Sequence, residues 1–355
     1  MEQYPDYLKG RGAQINPPNP YLKQALETEV EDGLDEPLVP DPQTEFFLEH
    51  PKSIVNEVKS PDIPAKWSVN PYQGCEHGCV YCYARNAHEY CGLSAGLDFE
   101  RKIIVKPDAP ALLEQAFRKP NWEVSPIMFS GNTDCYQPIE RKMELTRKCL
   151  EVFWKYRHPV SLITKNALIL RDLDLLQQLA SENLVHVHIT ITTLDETLRR
   201  AMEPRTASGK KRLQIVERLN QAGIPTGVML GPIIPGLNGH EGPALLAATA
   251  KAGACSAGYT FIRLNARVGV IFEDWLRKVF PDRADKVLHQ IREAHGGQVS
   301  DNRFGTRMRG EGPIAEGIAQ LFRIHKERHY VGRAFPPYNL TAFRRTNRGQ
   351  MQLFD

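Results

Sequence analysis

Three cysteines lie within eight residues in Asn70-Pro-Tyr-Gln-Gly-Cys75-Glu-His-Gly-Cys79-Val-Tyr-Cys82-Tyr-Ala-Arg85. A three-residue gap followed by a two-residue gap lets one loop wrap its thiols around a compact metal centre, and Gly74 and Gly78 give that loop conformational freedom. Two chemistries fit this pattern. Thiolates are the usual ligands of iron–sulfur clusters, and three of them on a four-iron cluster leave one iron open to an exogenous ligand. Structural zinc is the alternative, with Cys91, His77 or His88 as a fourth ligand. The aromatic Tyr81 directly before the third cysteine, and the position of the loop after the first strand of a β/α series, favour the cluster. The total of seven cysteines is odd, and crowding three of them suits metal ligation in a reducing compartment better than a disulfide framework. Cys135, Cys149 and Cys255 read as small buried apolar residues.

The elements that must position this loop begin near Trp67. Short apolar runs, Pro126–Ser130, Pro159–Thr164, Val185–Ile191, Pro225–Gly231 and Tyr259–Leu264, read as buried strands. Helical spacing marks Arg141–Tyr156, Leu173–Ser181, Lys211–Ala222 and Pro243–Ala252 between them. Such alternation implies parallel strands with crossover helices, in a barrel or an open doubly wound sheet. In either, chemistry belongs at the carboxyl ends of the strands, where Ser130–Asp134, Thr164–Asn166, Thr190–Thr193 and Gly231–Pro235 cluster. Residues 1–66 are rich in proline and acidic residues with little periodicity, so they are assigned no fold and are expected to wrap the core irregularly. The division expected is an N-terminal extension (1–66), a core barrel (67–265) and a C-terminal helical extension with a flexible tail (266–355). That extension contains helices over Phe272–Phe280, Arg283–His295 and Ile314–His329, and a Gly- and Arg-rich turn over Arg303–Gly312.

A formal net charge of +3 over 355 residues gives no general electrostatic reason for nucleic-acid binding, so any basic surface must be local. No apolar run approaches the roughly 18 residues of a membrane span, and the opening residues lack the apolar core of a signal peptide, so a cytoplasmic protein is expected.

Beyond the cysteine loop, Phe129–Glu140, Thr164-Lys165, Thr190–Asp195, Glu203-Pro-Arg205 and Gly231–Asn238 resemble the successive strand-end motifs of the radical S-adenosylmethionine (SAM) superfamily, in its spore photoproduct lyase-like branch. The resemblance covers roughly residues 65–265. It extends to a bacterial group sharing the Lys9–Pro20 and Arg303–Pro313 segments. It implies a partial (β/α)6 TIM-type barrel of the α/β class, with a [4Fe-4S] cluster on Cys75, Cys79 and Cys82 and SAM on its open iron. By position, Tyr81 would lie against the adenine, and Ser130, Gly131 and Asn132 would accept the methionine ammonium. Lys165 would face the carboxylate, and Thr190 or Thr192 would bond the carboxylate or ribose. Asp134 and Glu140 also suit helix capping, and Glu203 and Arg205 an ion pair. The expected activity is reductive cleavage of SAM to a 5′-deoxyadenosyl radical, with electrons from a flavodoxin- or ferredoxin-type donor. Its expected target is nucleic acid. The alternatives are a protein or small-molecule substrate, or a non-enzymatic metal module serving as a DNA-associated adaptor. The lyases of this branch use a cysteine near the end of the second strand as hydrogen donor; here that stretch reads Ser-Gly-Asn-Thr-Asp, with Cys135 after the aspartate.

The end of the chain carries Gln350-Met-Gln-Leu353-Phe354, preceded by Arg344, Arg345 and Arg348. Two large apolar residues there either pack back onto the domain or resemble the short peptide with which bacterial repair proteins dock on the sliding clamp. In the second reading Gln350 supplies hydrogen bonds and Leu353 and Phe354 act as anchors.

Overall fold

In a computed structural model of the chain, residues 7–22 and 43–345 are described. Its strands are β1 (Glu45–Leu48), β2 (Val55–Glu57), β3 (Trp67–Val69), β4 (Tyr72–Gln73), β5 (Lys102–Val105), β6 (Ile127–Phe129), β7 (Val160–Thr164), β8 (Val185–Thr190), β9 (Thr226–Ile233) and β10 (Ser256–Phe261). The main sheet has the order β10-β9-β8-β7-β6-β3-β2. All its pairs are parallel except β2 with β3. The six parallel strands therefore lie side by side in chain order, with none of the order reversal that defines a doubly wound sheet. This is the strand sequence of a partial (β/α)6 barrel. A smaller sheet, β1-β5-β4, flanks it.

Side-chain alternation divides the sheet into two faces. Ile127, Phe129, Val160, Leu162, Val185, Val187, Ile189 and Val228 join the apolar core beneath the helices. Their alternates, Met128, Ser161, Ile163, His186, His188, Met229 and Gly258, share the concave face in register. The helices lie close to the spans expected. Leu173–Ser181 matches, Gly209–Gln221 and Gly242–Lys251 shift by a residue or two, and Arg141–Tyr156 divides into Glu140–Met143 and Leu145–Tyr156. The break is Glu144, whose φ of 53° lies in the left-handed region. Further helices at Arg267–Val279, Pro281–Ala294 and Gly312–His329 follow β10.

Residues 335–345, the proline-rich stretch that leads into the carboxy-terminal tail, are packed. Phe335 and Tyr338 stack on His186 with ring centroids 4.3 and 3.8 Å away. Asn339 N donates to Asn183 O and Arg344 N to Tyr156 O, each at 3.0 Å. These contacts cover the amino ends of the strands, where two histidines on the concave face need aromatic company. Burial pulls the pKa of His188 down to about 4. Gln350, Leu353 and Phe354 lie outside the described residues.

Two segments complete the opposite end. The open sheet edges, β10 and β2, are bridged by residues 305–308. Met308 O accepts from Phe261 N (2.8 Å), Gly305 N donates to Asp62 Oδ1 (2.8 Å), and Arg307 pairs with Asp62 and donates to Ser60 Oγ (2.6 Å). Residues 8–20, from the segment given no fold, strap the cysteine loop. Gly12 and Ala13 donate their N–H groups to Glu100 (3.2 and 2.7 Å), and Pro17 O accepts from Ser94 Oγ (2.7 Å). A Cβ on Gly12 would come within 1.7 Å of Gly78 O, so only glycine permits this approach. Among the described residues no helix is long and apolar enough to cross a membrane.

Gly12→Val is therefore expected to displace the strap. Overpacking of this kind costs about 1–3 kcal/mol, read as a lower thermal midpoint. Limited proteolysis should cut within residues 8–20 of the variant before the parent; identical cleavage kinetics would contradict the contact.

Candidate metal and cofactor site

The cysteine loop leaves β4 and closes before the short helix Tyr83–Cys91. Gly74 and Gly78 take φ values of 81° and 67°, left-handed turns that glycine adopts without strain. Having no ladder, the loop borrows its hydrogen bonds. Cys75 N donates to Phe99 O (2.9 Å) and Val80 N to Met202 O (3.0 Å). Gln137 takes Glu76 N on Oε1 (3.0 Å) and donates to Gly74 O (3.1 Å), while Glu76 returns a carboxylate to Ile139 N (3.0 Å). Buried Arg85 holds Cys79 O (3.0 Å) through Nε and pairs with Glu100 at 2.5 Å.

Cys75 and Cys79 are buried and Cys82 is half-buried. Burial drives the thiol pKa of Cys75 well up and that of Cys79 to about 12, so thiolate at this place calls for a metal. Among the described residues no three His, Cys, Asp or Glu side chains come together closely enough to hold one metal ion. Of the proposed fourth zinc ligands, His77 and Cys91 are engaged in hydrogen bonds, whereas both ring nitrogens of buried His88 have no partner among the described residues. His77 faces Asp134 (3.3 Å) and Asn166 (3.0 Å), Cys91 accepts from Gln73 (3.0 Å), and His88 sits edge-on to Phe99.

Asp134 ties this loop to the barrel. Besides His77, it accepts from Thr164 Oγ1 (2.7 Å), Lys165 N (2.9 Å) and Tyr136 N (2.9 Å). Burial opposes its charge, but His77 and these donors hold its pKa at about 2. Lys165 extends from the end of β7 until its ammonium lies 6.0 Å from the Tyr81 ring. Burial works against that charge, yet Cys79 and Glu203 outweigh it and raise the lysine pKa. The Tyr81 hydroxyl bonds Glu203 and lies 3.2 Å from Thr192 Oγ1, which donates to Glu203 (2.6 Å). Thr190 gives its carbonyl to Arg212 (3.0 Å). Ser130, at φ 78°, spends its hydroxyl on Thr133 O (2.5 Å) and Cys135 N (2.8 Å). Gly131 O accepts from Tyr83, and Asn132 N donates to Asn70 Oδ1 (2.9 Å).

One expectation changes. The partner of Glu203 is Arg212, in a fully buried pair, whereas Arg205 donates only its N–H, to His77 O at 3.4 Å. Spacing within Glu203-Pro-Arg205 suggested the nearer arginine, but the following helix turns Arg212 inward. Glu140 is the first-turn acid of the helix Glu140–Met143, as expected, and its carboxylate also takes Thr146 N (3.1 Å) in the next helix, Tyr72 and Arg171 (2.7 Å). Gln137, Arg85, Glu100 and Arg212 carried no recognisable signal in isolation. Cys135 and Cys149 are buried as expected; Cys255 is half-buried.

Removing the Glu203 carboxylate alone should be severe, because Arg212 would remain buried and uncompensated. Glu203→Ala is expected to lose about 3–5 kcal/mol in denaturant unfolding. A loss below about 1 kcal/mol, the value of an exposed pair, would show that water reaches Arg212.

Against this geometry, the family model for the radical SAM superfamily matches residues 69–247. The chain is 32% identical over 234 residues to an uncharacterized protein of Mycobacterium tuberculosis, Rv2578c, covering 65% of this chain and 69% of that one. It is 33% identical over 186 residues to the uncharacterized protein MJ0683 of Methanocaldococcus jannaschii, covering 52% and 66%. A solved spore photoproduct lyase complexed with dinucleoside spore photoproduct shares the fold, with a TM-score of 0.60, 16% identity, and coverage of 81% of this chain and 80% of that chain. A doubly substituted mutant of that lyase, with bound AdoMet and dinucleoside spore photoproduct, matches with a TM-score of 0.59 over the same shares of the two chains. Members of the matched family use a [4Fe-4S] cluster and SAM, which the thiol triad fits. The chain belongs to the radical SAM superfamily.

Proposed function

We propose that Cys75, Cys79 and Cys82 hold the cluster, that SAM lies between Tyr81 and Lys165, and that the chain acts on nucleic acid. When bound, cluster and SAM together supply a 5′-deoxyadenosyl radical once a flavodoxin- or ferredoxin-type donor delivers an electron. The chain's own residues orient and enclose. Lys165 is the charged partner for the SAM carboxylate, and the approach of its ammonium to the Tyr81 ring beside Cys79 is the observation that carries this assignment. Tyr81, pinned through its hydroxyl by Glu203, offers a fixed ring for the adenine. The peptide edge at Ser130, Gly131 and Asn132 is assigned to the ammonium; Gly131 O keeps a second lone pair beyond its bond from Tyr83. Thr190 and Thr192 stand at the end of β8 for the ribose or carboxylate.

The nucleic-acid reading is supported by the shared fold and by cationic and aromatic residues at the strand ends, where Tyr83 and Phe304 are exposed. Photoproduct reversal through Cys135 is not part of it, because that side chain is 1% exposed and belongs to the core beneath the helices. A different hydrogen donor, or a different lesion, follows.

Cys75→Ala, Cys79→Ala and Cys82→Ala should each abolish cluster assembly, with Cys255→Ala unaffected, as read by iron and labile sulfide after anaerobic reconstitution. Stoichiometric zinc without sulfide would overturn the cluster. Lys165→Ala should keep the visible spectrum but weaken SAM binding roughly tenfold or more, since a sheltered charge-assisted bond is worth about 1.5–3 kcal/mol. Equal affinity would reassign the carboxylate partner. Crosslinking against nucleic-acid and protein pools decides the substrate class.

A further inference from the structure

Arg263 lies two residues beyond β10, at the carboxyl end of the sixth parallel strand. Its Nε is buried and has no hydrogen-bond partner, and among the described residues its guanidinium enters no ion pair. Its titratable neighbours are Arg307, Tyr83, Asp62 and Asp301. Both acids are already taken: Asp62 by Arg307 and Gly305 N, and Asp301 by Arg303 at 2.8 Å and Thr306 at 3.1 Å. Arg263 is therefore a partly buried cation beside a second guanidinium with no anion of its own. A folded chain gains nothing from such a charge unless something else neutralises it.

The location says what that is. Tyr83 follows the last cysteine of the loop, and its hydroxyl reaches Gly131 O at the end of β6. Tyr83 is itself 56% exposed, so this contact lies at the surface of the strand ends. Lys165, just past β7, and Arg263, just past β10, both stand at the carboxyl ends of the parallel strands. Lys165 is assigned to the cofactor; Arg263 is left for the substrate. Next to it on the bridging turn, Arg307 lies over Phe304 at 4.3 Å, and Phe304 is 58% exposed. Adjacent guanidinium groups beside an open aromatic face match a phosphate and its neighbouring base better than a lone carboxylate.

We propose that Arg263 is the anion-recognition residue of the substrate mouth, receiving a phosphodiester of a nucleic-acid strand. This rests on the nucleic-acid reading above. The test uses the reconstituted holoenzyme with SAM and a fluorescent single-stranded oligonucleotide, read by anisotropy over a salt series. Arg263→Met should weaken binding about tenfold or more and reduce the slope of log affinity against log salt by about 0.7, one phosphate contact. Arg263→Lys should restore most of both. The thermal midpoint of Arg263→Met should not fall, because a partly buried charge that enters no ion pair among the described residues is being removed. Oligonucleotide binding by Arg263→Met equal to the parent would overturn the assignment and leave the nucleic-acid reading standing. Equal weakening in the Met and Lys variants with an unchanged slope would overturn it too, as a matter of shape alone. A parent that makes 5′-deoxyadenosine but binds no strand would remove the nucleic-acid reading, and this inference with it.

Discussion

The buried pair of Arg85 and Glu100 is the interaction on which the metal site depends. Both side chains are fully covered, and each spends its remaining capacity on backbone: Arg85 on the carbonyls of Cys79, Ala95 and Gly96, Glu100 on the N–H groups of Gly12 and Ala13. One ion pair thereby fixes a cysteine carbonyl, the turn after the short helix and the amino-terminal strap. A buried ion pair is a poor source of stability in itself, because desolvation offsets the attraction. Its value here is placement, since a loop without a ladder must find specific partners for each polar group.

The same arrangement recurs around the site. Asp134 links the loop to β7 through His77 and the Lys165 backbone, and Glu203 links Tyr81 to Arg212. Each carboxylate joins a residue next to the thiols to the end of a parallel strand. Ionisation of Asp134 and Glu203 is held at about pH 2, so the framework stays charged throughout the range in which a cell works.

Strand and helix order were legible because apolar runs and helical spacing respond to one force, burial against the sheet. The thiol triad was legible because its spacing is short and local. Partners distant in sequence were not: Glu100 meets Gly12 across 88 positions, and nothing in the composition of either segment announces it. Arg212 was hidden for a subtler reason, since a helix beginning with Gly209-Lys-Lys-Arg looks solvated until its fourth residue is found turned inward. The packing of residues 335–345 was not legible because prolines that discourage helix and sheet still permit an extended segment to lie flat on aromatic side chains.

The bridge between Asp62 and the turn at Gly305–Arg307 joins residues 243 and 245 positions apart. During synthesis the six parallel strands can pair as they emerge, but the side of the barrel stays open until the ribosome has made nearly the whole chain. Contacts of such sequence separation form late. The two sheet edges are thus joined only at the final stage of folding, and a protein truncated before this turn would retain its thiols and Lys165 while lacking the link between β10 and the segment after β2.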